Sequence, residues 1–181
     1  LTVIASGGDG DGYAIGMGHT IHALRRNMNM TYIVMDNQIY GLTKGQTSPS
    51  SAVGFVTKTT PKGNIEKNVA PLELALSSGA TFVAQGFSSD IKGLTKLIED
   101  AINHDGFSFV NVFSPCVTYN KINKFDWFKD HLTSVDGMEN YDSSDKQLTS
   151  KFVIEHESLV TSIVYHDKES PSYESQSKNL D

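Results

Sequence analysis

Leu1-Thr-Val-Ile-Ala-Ser6 is an apolar segment that leads directly into the glycine loop Gly7-Gly-Asp-Gly-Asp-Gly12, and a pattern of helical spacing follows from Tyr13 to Asn27. A short apolar run before a glycine-rich turn and a helix is typical of a buried parallel strand with its crossover helix. The chain begins inside this strand and without methionine, so we expect it to be a fragment of a longer protein.

The alternation of strand and helix continues outward from this segment. Apolar runs and helical patterns predict strands at Thr31–Asp36, Phe82–Gln85 and Phe107–Phe113, and helices at Pro71–Ser78 and Asp90–His104. This order indicates an α/β fold with a mainly parallel sheet flanked by helices. Because crossovers are right-handed, the loops after the strands should meet at one edge of the sheet, where such folds bind ligands. The polar stretch from Asn37 to about Lys67 is longer than a compact connection requires, so we expect it to be functional, mobile or both.

The charge distribution differs between the two parts of the chain, and the composition as a whole argues against several classes of protein. The chain has 15 basic and 21 acidic side chains, a net charge of -6, and residues 136–181 hold 4 of the basic and 10 of the acidic ones. We therefore predict a folded unit of residues 1–133 and an acidic, partly ordered extension of residues 134–181, with a helix followed by a strand near Lys151 to Tyr165. The negative charge argues against nucleic-acid binding, and no apolar run reaches the ~20 residues of a membrane span. A single cysteine cannot form an internal disulfide, which favours a cytoplasmic protein.

Two acidic side chains, Asp9 and Asp11, lie in the glycine loop. Most phosphate-binding loops avoid acidic residues, and the loop has neither the Rossmann spacing nor a Walker A lysine. A divalent cation between carboxylate and phosphate would remove the repulsion, and Mg²⁺ prefers such oxygen ligands. Asn37 follows the second predicted strand, so it should lie at the same edge and could supply another ligand. The alternative is that the glycine loop is a tight turn and that Asp36-Asn37 only ends a strand.

The spacing of these two motifs resembles that of a known family. A GDG triplet after a strand, with Asn37 twenty-eight residues after Asp9, resembles the diphosphate-binding motif of thiamine diphosphate enzymes. The segments 8–19, 25–27 and 36–49 are similar to the β subunit of 2-oxoacid:ferredoxin oxidoreductases, and this resemblance runs from Leu1 to about Asn123. It implies the thiamine diphosphate-binding fold, with residues 1–133 as the domain that binds diphosphate and magnesium.

The resemblance also implies a set of site residues. Mg²⁺ would be bound by Asp9, Asn37 and the backbone carbonyl of Ile39. The cofactor would contact Gly8, Asp9, Gly10, Asp11, Asn37, Gly41, Leu42 and Thr43. Asp11 would orient the glycine loop through backbone amides or lie in the surroundings of the metal.

Two residues are assigned catalytic roles by the same resemblance. Leu42 would lie under the thiazolium ring and hold the bent conformation of the cofactor, and Lys44 would lie towards the substrate entrance and attract a carboxylate. The alternatives are ordinary core packing for Leu42 and a solvated loop position for Lys44.

Cys116, in the turn Ser114-Pro-Cys116 after the last predicted parallel strand, matches the remote fourth ligand of a [4Fe–4S] cluster in this family. The alternative is a small buried hydrophobic residue. Such a cluster needs four thiolates, and three of them would have to come from outside this chain. We therefore expect the cluster only in the full-length protein, and we expect the fragment alone to be inactive.

The implied reaction is the oxidative decarboxylation of a 2-oxo acid to acyl-CoA, with electrons passed through the cluster to ferredoxin. The expected partners are an α subunit that carries the pyrimidine-binding domain, ferredoxin, coenzyme A and a 2-oxo acid, with no nucleic acid and no membrane. Two other functions stay open. One is a non-oxidative thiamine diphosphate-dependent decarboxylase or synthase, and the other is a non-catalytic domain that binds Mg²⁺ and phosphate.

Overall fold

The computed structural model describes residues 1–178 and shows a six-stranded sheet in the order β1-β2-β4-β3-β6-β5. The strands are β1 (Ile4–Gly8), β2 (Met30–Asp36), β3 (Phe82–Phe87), β4 (Phe107–Phe113), β5 (Thr133–Ser134) and β6 (Val160–His166). The first four strands are parallel to one another, β6 is antiparallel to β3, and β5 is parallel to β6. The prediction of an α/β fold with a mainly parallel sheet is confirmed.

Helices connect these strands. After a π-helical turn at Asp11–Ile15 come α1 (Met17–Arg26), α2 (Pro71–Ser77), α3 (Ile91–Asn103), α4 (Phe125–His131), α5 (Lys146–Glu155) and α6 (Tyr173–Ser177). Helix α2 begins with proline, whose missing N–H is not needed in the first turn. Helix α3 begins after Asp90, whose carboxylate accepts a hydrogen bond from Gly93 N at 3.0 Å and so caps the helix. No helix within residues 1–178 is long and apolar enough to cross a membrane.

The core lies on both faces of the sheet. On one face, Phe107 and Phe109 of β4 belong to a buried cluster with apolar side chains of α1, α2 and α5. On the other face, Val110 and Val112 pack with Leu97 of α3. Because both faces are covered, a central strand such as β4 is buried along its whole length, which explains its nearly continuous apolar sequence.

The carboxyl ends of the four parallel strands lie at one edge of the sheet, which we call the carboxyl edge. Gly8 is in register with Met35, and both Asp36 and Phe87 are in register with Phe113. Ser114 N donates to the carbonyl oxygen of Asp36 at 2.8 Å, which joins the loops after β2 and β4. The loops that carry the predicted site therefore begin side by side.

Several element boundaries differ by a few residues from those that the sequence predicted, such as the end of β3 at Phe87 rather than Gln85, and two differences have a clear physical cause. Strand β1 continues to Gly8, because Gly7 and Gly8 pair with the neighbouring strand β2. Glycine has a low propensity for strands, so the sequence alone did not indicate that these two residues join the sheet. Helix α5 begins at Lys146 rather than near Lys151, because the Asp145 carboxylate accepts hydrogen bonds from the first amides of the helix at 2.9 and 3.0 Å. This is an N-terminal cap.

The long stretch between β2 and α2 contains no helix or strand within the described residues, yet several of its side chains are buried. Asn64, for example, is buried, and its amide nitrogen donates to the carbonyl oxygens of Ser51 and Ala52 at 3.2 and 3.3 Å. The stretch is therefore folded on itself through polar contacts. The division of the chain at residue 133 stays a prediction.

Candidate active site

The glycine loop leaves β1 at Gly8 and crosses the carboxyl edge into the π-helical turn. Gly8 N donates to the Asp11 carboxylate at 3.0 Å, so Asp11 holds the loop through a backbone amide. Gly10 passes directly under the ring of Tyr40, and a Cβ atom at this position would lie 2.0 Å from Tyr40 Cε1. A glycine is needed here for the close approach.

Two carboxylates are buried at the ends of β1 and β2. Asp9 and Asp36 are each 2% exposed. No lysine, arginine or histidine of residues 1–178 forms an ion pair with either of them. Buried charges are normally paired or bound to a metal, because desolvation costs several kcal/mol for each ion. The pair therefore fits a site that receives a cation.

Ser50 bridges the two carboxylates. Its hydroxyl lies 2.6 Å from Asp9 Oδ2 and 2.7 Å from Asp36 Oδ1, although a hydroxyl has only one proton to donate. Burial and the neighbouring Asp9 charge raise the pKa of Asp36 to about 7. When Asp36 is protonated it donates to Ser50, Ser50 donates to Asp9, and all three groups are satisfied.

A buried polar chain supports this cluster from the centre of the sheet. The Tyr13 hydroxyl donates to Asn111 Oδ1 at 2.6 Å, and the Asn111 amide donates to Gln85 Oε1 at 2.8 Å. Burial, followed by the charges of Asp36 and Asp9, raises the pKa of Tyr13 well above its ordinary value. Tyr13 therefore stays neutral and ties the π-helical turn to β4.

The predicted metal ligand Asn37 lies in a tight turn after β2. Ile39 N donates to Asn37 Oδ1 at 3.0 Å, and Gln38 between them has a left-handed backbone with φ of 60°. A left-handed conformation is uncommon for a residue other than glycine and is found at functional turns. The turn is held by Ser51, whose hydroxyl donates to the Gln38 carbonyl at 2.7 Å. Asn37 Oδ1 keeps a second lone pair for a ligand.

Residues Gly41–Lys44, the loop predicted to contact the cofactor, form a tight turn, and the backbones of Tyr40 and Gln46 pair across its base. Leu42 at its tip is 98% exposed, so the core-packing alternative for this residue is wrong. Lys44 is also exposed, has a φ of 67°, and forms none of the ion pairs within residues 1–178. The loop thus offers one apolar and one cationic side chain to whatever binds at the edge.

Cys116 follows β4 at the carboxyl edge and is a half-buried free thiol. Its Sγ accepts a hydrogen bond from Tyr119 N at 3.4 Å. The ring of Tyr119 packs against Gly45, so the cysteine turn lies beside the cofactor loop. Within residues 1–178, no three His, Cys, Asp or Glu side chains come close enough to hold a metal ion.

Ser48 and Ser50 lie against Asp9, although no motif in the sequence marks them as site residues. The run Thr47-Ser-Pro-Ser-Ser51 contains the necessary hydroxyls, but it has no spacing that indicates burial. Hydroxyl-rich runs are typical of loops, and only the fold of the polar stretch shows which hydroxyls reach the carboxylates.

Comparison with known proteins gives two family matches that together cover nearly the whole chain. The family model described as thiamine pyrophosphate enzyme, C-terminal TPP binding domain, matches residues 1–112. The model for the C-terminal part of the pyruvate ferredoxin oxidoreductase beta chain matches residues 116–181.

Individual relatives carry related names. A 2-oxoacid:ferredoxin oxidoreductase subunit beta from Sulfolobus sp. is 40% identical over 98% of this chain and 62% of its own length. The subunit of the same name from Saccharolobus solfataricus is 45% identical over 78% of this chain and 47% of its own length. The 2-oxoglutarate oxidoreductase subunit KorB of Mycobacterium tuberculosis is 48% identical over 66% of this chain and 32% of its own length. The chain thus spans only part of the curated relatives that it matches.

A solved structure shares the fold over nearly the whole chain. The 2-oxoglutarate:ferredoxin oxidoreductase from Magnetococcus marinus, solved with 2-oxoglutarate, coenzyme A and succinyl-CoA bound, aligns with a TM-score of 0.92 at 40% identity. The alignment covers 99% of this chain and 61% of that one.

Proposed function

The chain belongs to the thiamine pyrophosphate enzymes, among the relatives of 2-oxoacid:ferredoxin oxidoreductase β subunits, and we propose that it forms the diphosphate- and Mg²⁺-binding part of such an oxidoreductase. The proposed reaction converts a 2-oxo acid and coenzyme A to acyl-CoA and carbon dioxide, with two electrons passed to ferredoxin. The match over residues 116–181 to an oxidoreductase β subunit favours this reaction over a non-oxidative one.

The proposal rests on the two buried carboxylates of Asp9 and Asp36, which lie at the ends of β1 and β2. Within residues 1–178 neither of them forms an ion pair with a cationic side chain. The donor set fits a hard cation and a diphosphate: the Asp9 carboxylate, the Asn37 side-chain oxygen and the Ile39 carbonyl would bind Mg²⁺. The backbone of Gly8 and Gly10 can approach the diphosphate closely because neither residue has a side chain.

The loop after Asn37 provides the other proposed contacts. Gly41, Leu42 and Thr43 would contact the cofactor, and Leu42 presents an exposed apolar side chain that suits the face of a ring. A leucine transfers no proton, so its contribution is to enforce proximity within the cofactor. Lys44 would attract the carboxylate of the 2-oxo acid. When bound, thiamine diphosphate supplies the carbanion chemistry of decarboxylation.

Two further parts of the proposal concern groups outside this chain. Cys116 would be one of four thiolate ligands of a [4Fe–4S] cluster in the full-length protein. An α subunit would bind the pyrimidine end of the cofactor. Because the chain has a single cysteine, we expect residues 1–181 alone to form no cluster and to be inactive, and we propose a cytoplasmic setting.

Calorimetric titration of thiamine diphosphate into the full-length protein in its assembled complex tests the proposal. Asp9→Asn and Asn37→Ala should each abolish Mg²⁺-dependent binding, because each removes a ligand from a loop and leaves the core packing in place. Circular dichroism and thermal unfolding serve as the folding controls. Undiminished affinity in either variant would show that the metal assignment is wrong.

A further inference from the structure

We infer that Ser48 and Ser50 are positioning residues that hold Asp9 as a one-oxygen ligand for Mg²⁺, an inference that rests on the proposed function. Both serines are buried beside Asp9. Both hydroxyls lie within hydrogen-bonding distance of the same carboxylate oxygen, Oδ2, with Ser50 at 2.6 Å and Ser48 in a short hydrogen bond. Within residues 1–178 no hydrogen-bond donor reaches the other oxygen, Oδ1. One oxygen of Asp9 is thus engaged by the protein and the other is left for a ligand.

The two serines are themselves fixed in place by the backbone around them. Pro49 between them has a restricted φ, and its carbonyl oxygen accepts a hydrogen bond from Val69 N at 2.9 Å. Ser48 N donates to Ser51 Oγ at 2.9 Å, and the Ser51 hydroxyl donates to the Gln38 carbonyl. The segment 48–51 therefore connects Asp9 to the turn that carries Asn37 and Ile39, so all three proposed ligands belong to one hydrogen-bonded unit.

This arrangement has a consequence for the choice of cation. Rotation of the Asp9 carboxylate to present both oxygens would break the hydrogen bonds of Ser48 and Ser50. A one-oxygen carboxylate suits Mg²⁺, which requires near-octahedral geometry, whereas Ca²⁺ takes more ligands and accepts two-oxygen carboxylates. The serines should therefore favour Mg²⁺ over Ca²⁺.

The test compares the two cations in the full-length protein in its assembled complex. Thiamine diphosphate affinity is measured by calorimetry with Mg²⁺ and then with Ca²⁺, for the wild type and for the Ser48→Ala/Ser50→Ala double variant. We expect the Mg²⁺-supported affinity to fall about 10-fold, the lower end for loss of groups that orient a metal ligand. The Ca²⁺-supported affinity should fall much less or rise. Ser50→Thr on the Ser48→Ala background keeps one hydroxyl and should restore part of the preference for Mg²⁺.

Ser108→Ala is the matched control. Ser108 is also fully buried, and its hydroxyl donates to the Ala101 carbonyl at 2.6 Å, away from the carboxyl edge. This variant should lower the midpoint of thermal unfolding without changing the ratio of the two affinities.

The outcomes separate the inference from the proposed function. An equal loss of affinity with both cations, or no loss with Mg²⁺, would overturn the positioning role. If the double variant does not fold, Ser48→Ala and Ser50→Ala are judged singly by the same ratio of affinities. If Asp9→Asn binds thiamine diphosphate as tightly as the wild type, the proposed function fails and the inference fails with it.

Discussion

At the scale of single residues, the site depends on close approaches that leave no room for a side chain. The glycine loop passes under the Tyr40 ring at Gly10, where an added Cβ atom would also lie 2.7 Å from Cζ and 2.9 Å from Cδ1. The Tyr40 backbone is fixed by its pairing with Gln46, so the ring has to move if a methyl group is added.

Gly10→Ala should therefore destabilise the protein. Displacement of the ring would cost about 1–3 kcal/mol of the free energy of unfolding, the usual range for overpacking. Urea unfolding measures this change. Gly18→Ala in α1 is the control, because a Cβ at Gly18 would meet no atom within 4 Å apart from its chain neighbours and the backbone of its own helix, and alanine in a helix is favoured by about 0.5–1 kcal/mol. The same change in stability for both variants would contradict the steric explanation.

A second prediction at this scale concerns Cys116. In the full-length protein, Cys116→Ser should disturb the cluster and reduce electron transfer to ferredoxin, because serine replaces one of the four thiolates. Binding of thiamine diphosphate should survive, since the proposed metal ligands are unchanged. Iron content and the visible spectrum measure the first effect, and calorimetry measures the second. Normal iron content with a wild-type spectrum would mean that Cys116 only packs.

At the scale of elements, the end of α3 and the end of β6 meet at the edge of the sheet opposite the site, where two histidines pack together. The rings of His104 and His166 lie edge to face with centroids 5.2 Å apart. The Thr81 hydroxyl donates to Asn27 Oδ1, so it accepts from His104 Nε2 at 2.7 Å. This tautomer leaves Nδ1 as the position that takes up a proton.

The folded protein should therefore lose stability as the pH falls and protons bind to His104 and His166. Burial, and then the neighbouring His166, lower the pKa of His104 to about 4, and the charges of Asp105 and Asp167 partly oppose this shift. The pKa of His166 is also lowered, by burial and then by Lys168. An unfolded histidine titrates near pH 6.5. Between these values the unfolded chain binds more protons, so the free energy of unfolding decreases as the pH falls from about 6.5 towards 4.

We expect this contribution to be on the order of 1–2 kcal/mol, because partial solvent access reduces the full effect of the shift. Urea unfolding at a series of pH values measures it. His104→Gln should flatten the pH dependence, whereas His22→Gln, at an exposed position of α1, should leave it unchanged. The same slope in all three proteins would assign the pH dependence to other groups.

At the scale of the whole molecule, the two family matches meet between residues 112 and 116, yet the sheet is continuous across them. Strand β6 pairs with β3, whose residues are all buried. Val160 and Val164 of β6 are also fully buried, in the same cluster as Phe107 and Phe109. The acidic last quarter of the chain thus contributes to the main core.

Removal of this part tests the division of the chain at residue 133. A chain of residues 1–133 would expose one edge of β3 and the apolar face that β6 and α5 cover. An uncovered edge strand with apolar side chains is a site of aggregation. Size-exclusion chromatography should show association, and thermal unfolding should lose cooperativity. A monomer that unfolds cooperatively would establish residues 1–133 as a domain that folds alone.

The order of the elements along the chain, and the sheet edge at which the candidate site lies, could be predicted from local sequence patterns. The apolar runs around Val34 and Val110, the proline at the start of α2 and the Asp90 cap are local signals, because propensity and capping depend on neighbouring residues. The glycine loop and Asn37 could be located for a related reason. Right-handed crossovers place the ends of parallel strands at one edge, so a motif after a strand has a predictable place.

The polar side chains that support the candidate site, and the strand that the acidic part of the chain adds to the sheet, became apparent from the fold alone. Ser48 and Ser50 lie about forty residues from Asp9 along the chain, and no periodicity connects them. Strand β6 joins the sheet beside β3, and its residues are far from β3 in sequence. A buried polar group is stable only if hydrogen-bond partners compensate for its lost hydration. Here those partners are distant in sequence, so no local pattern of residues can reveal the contacts.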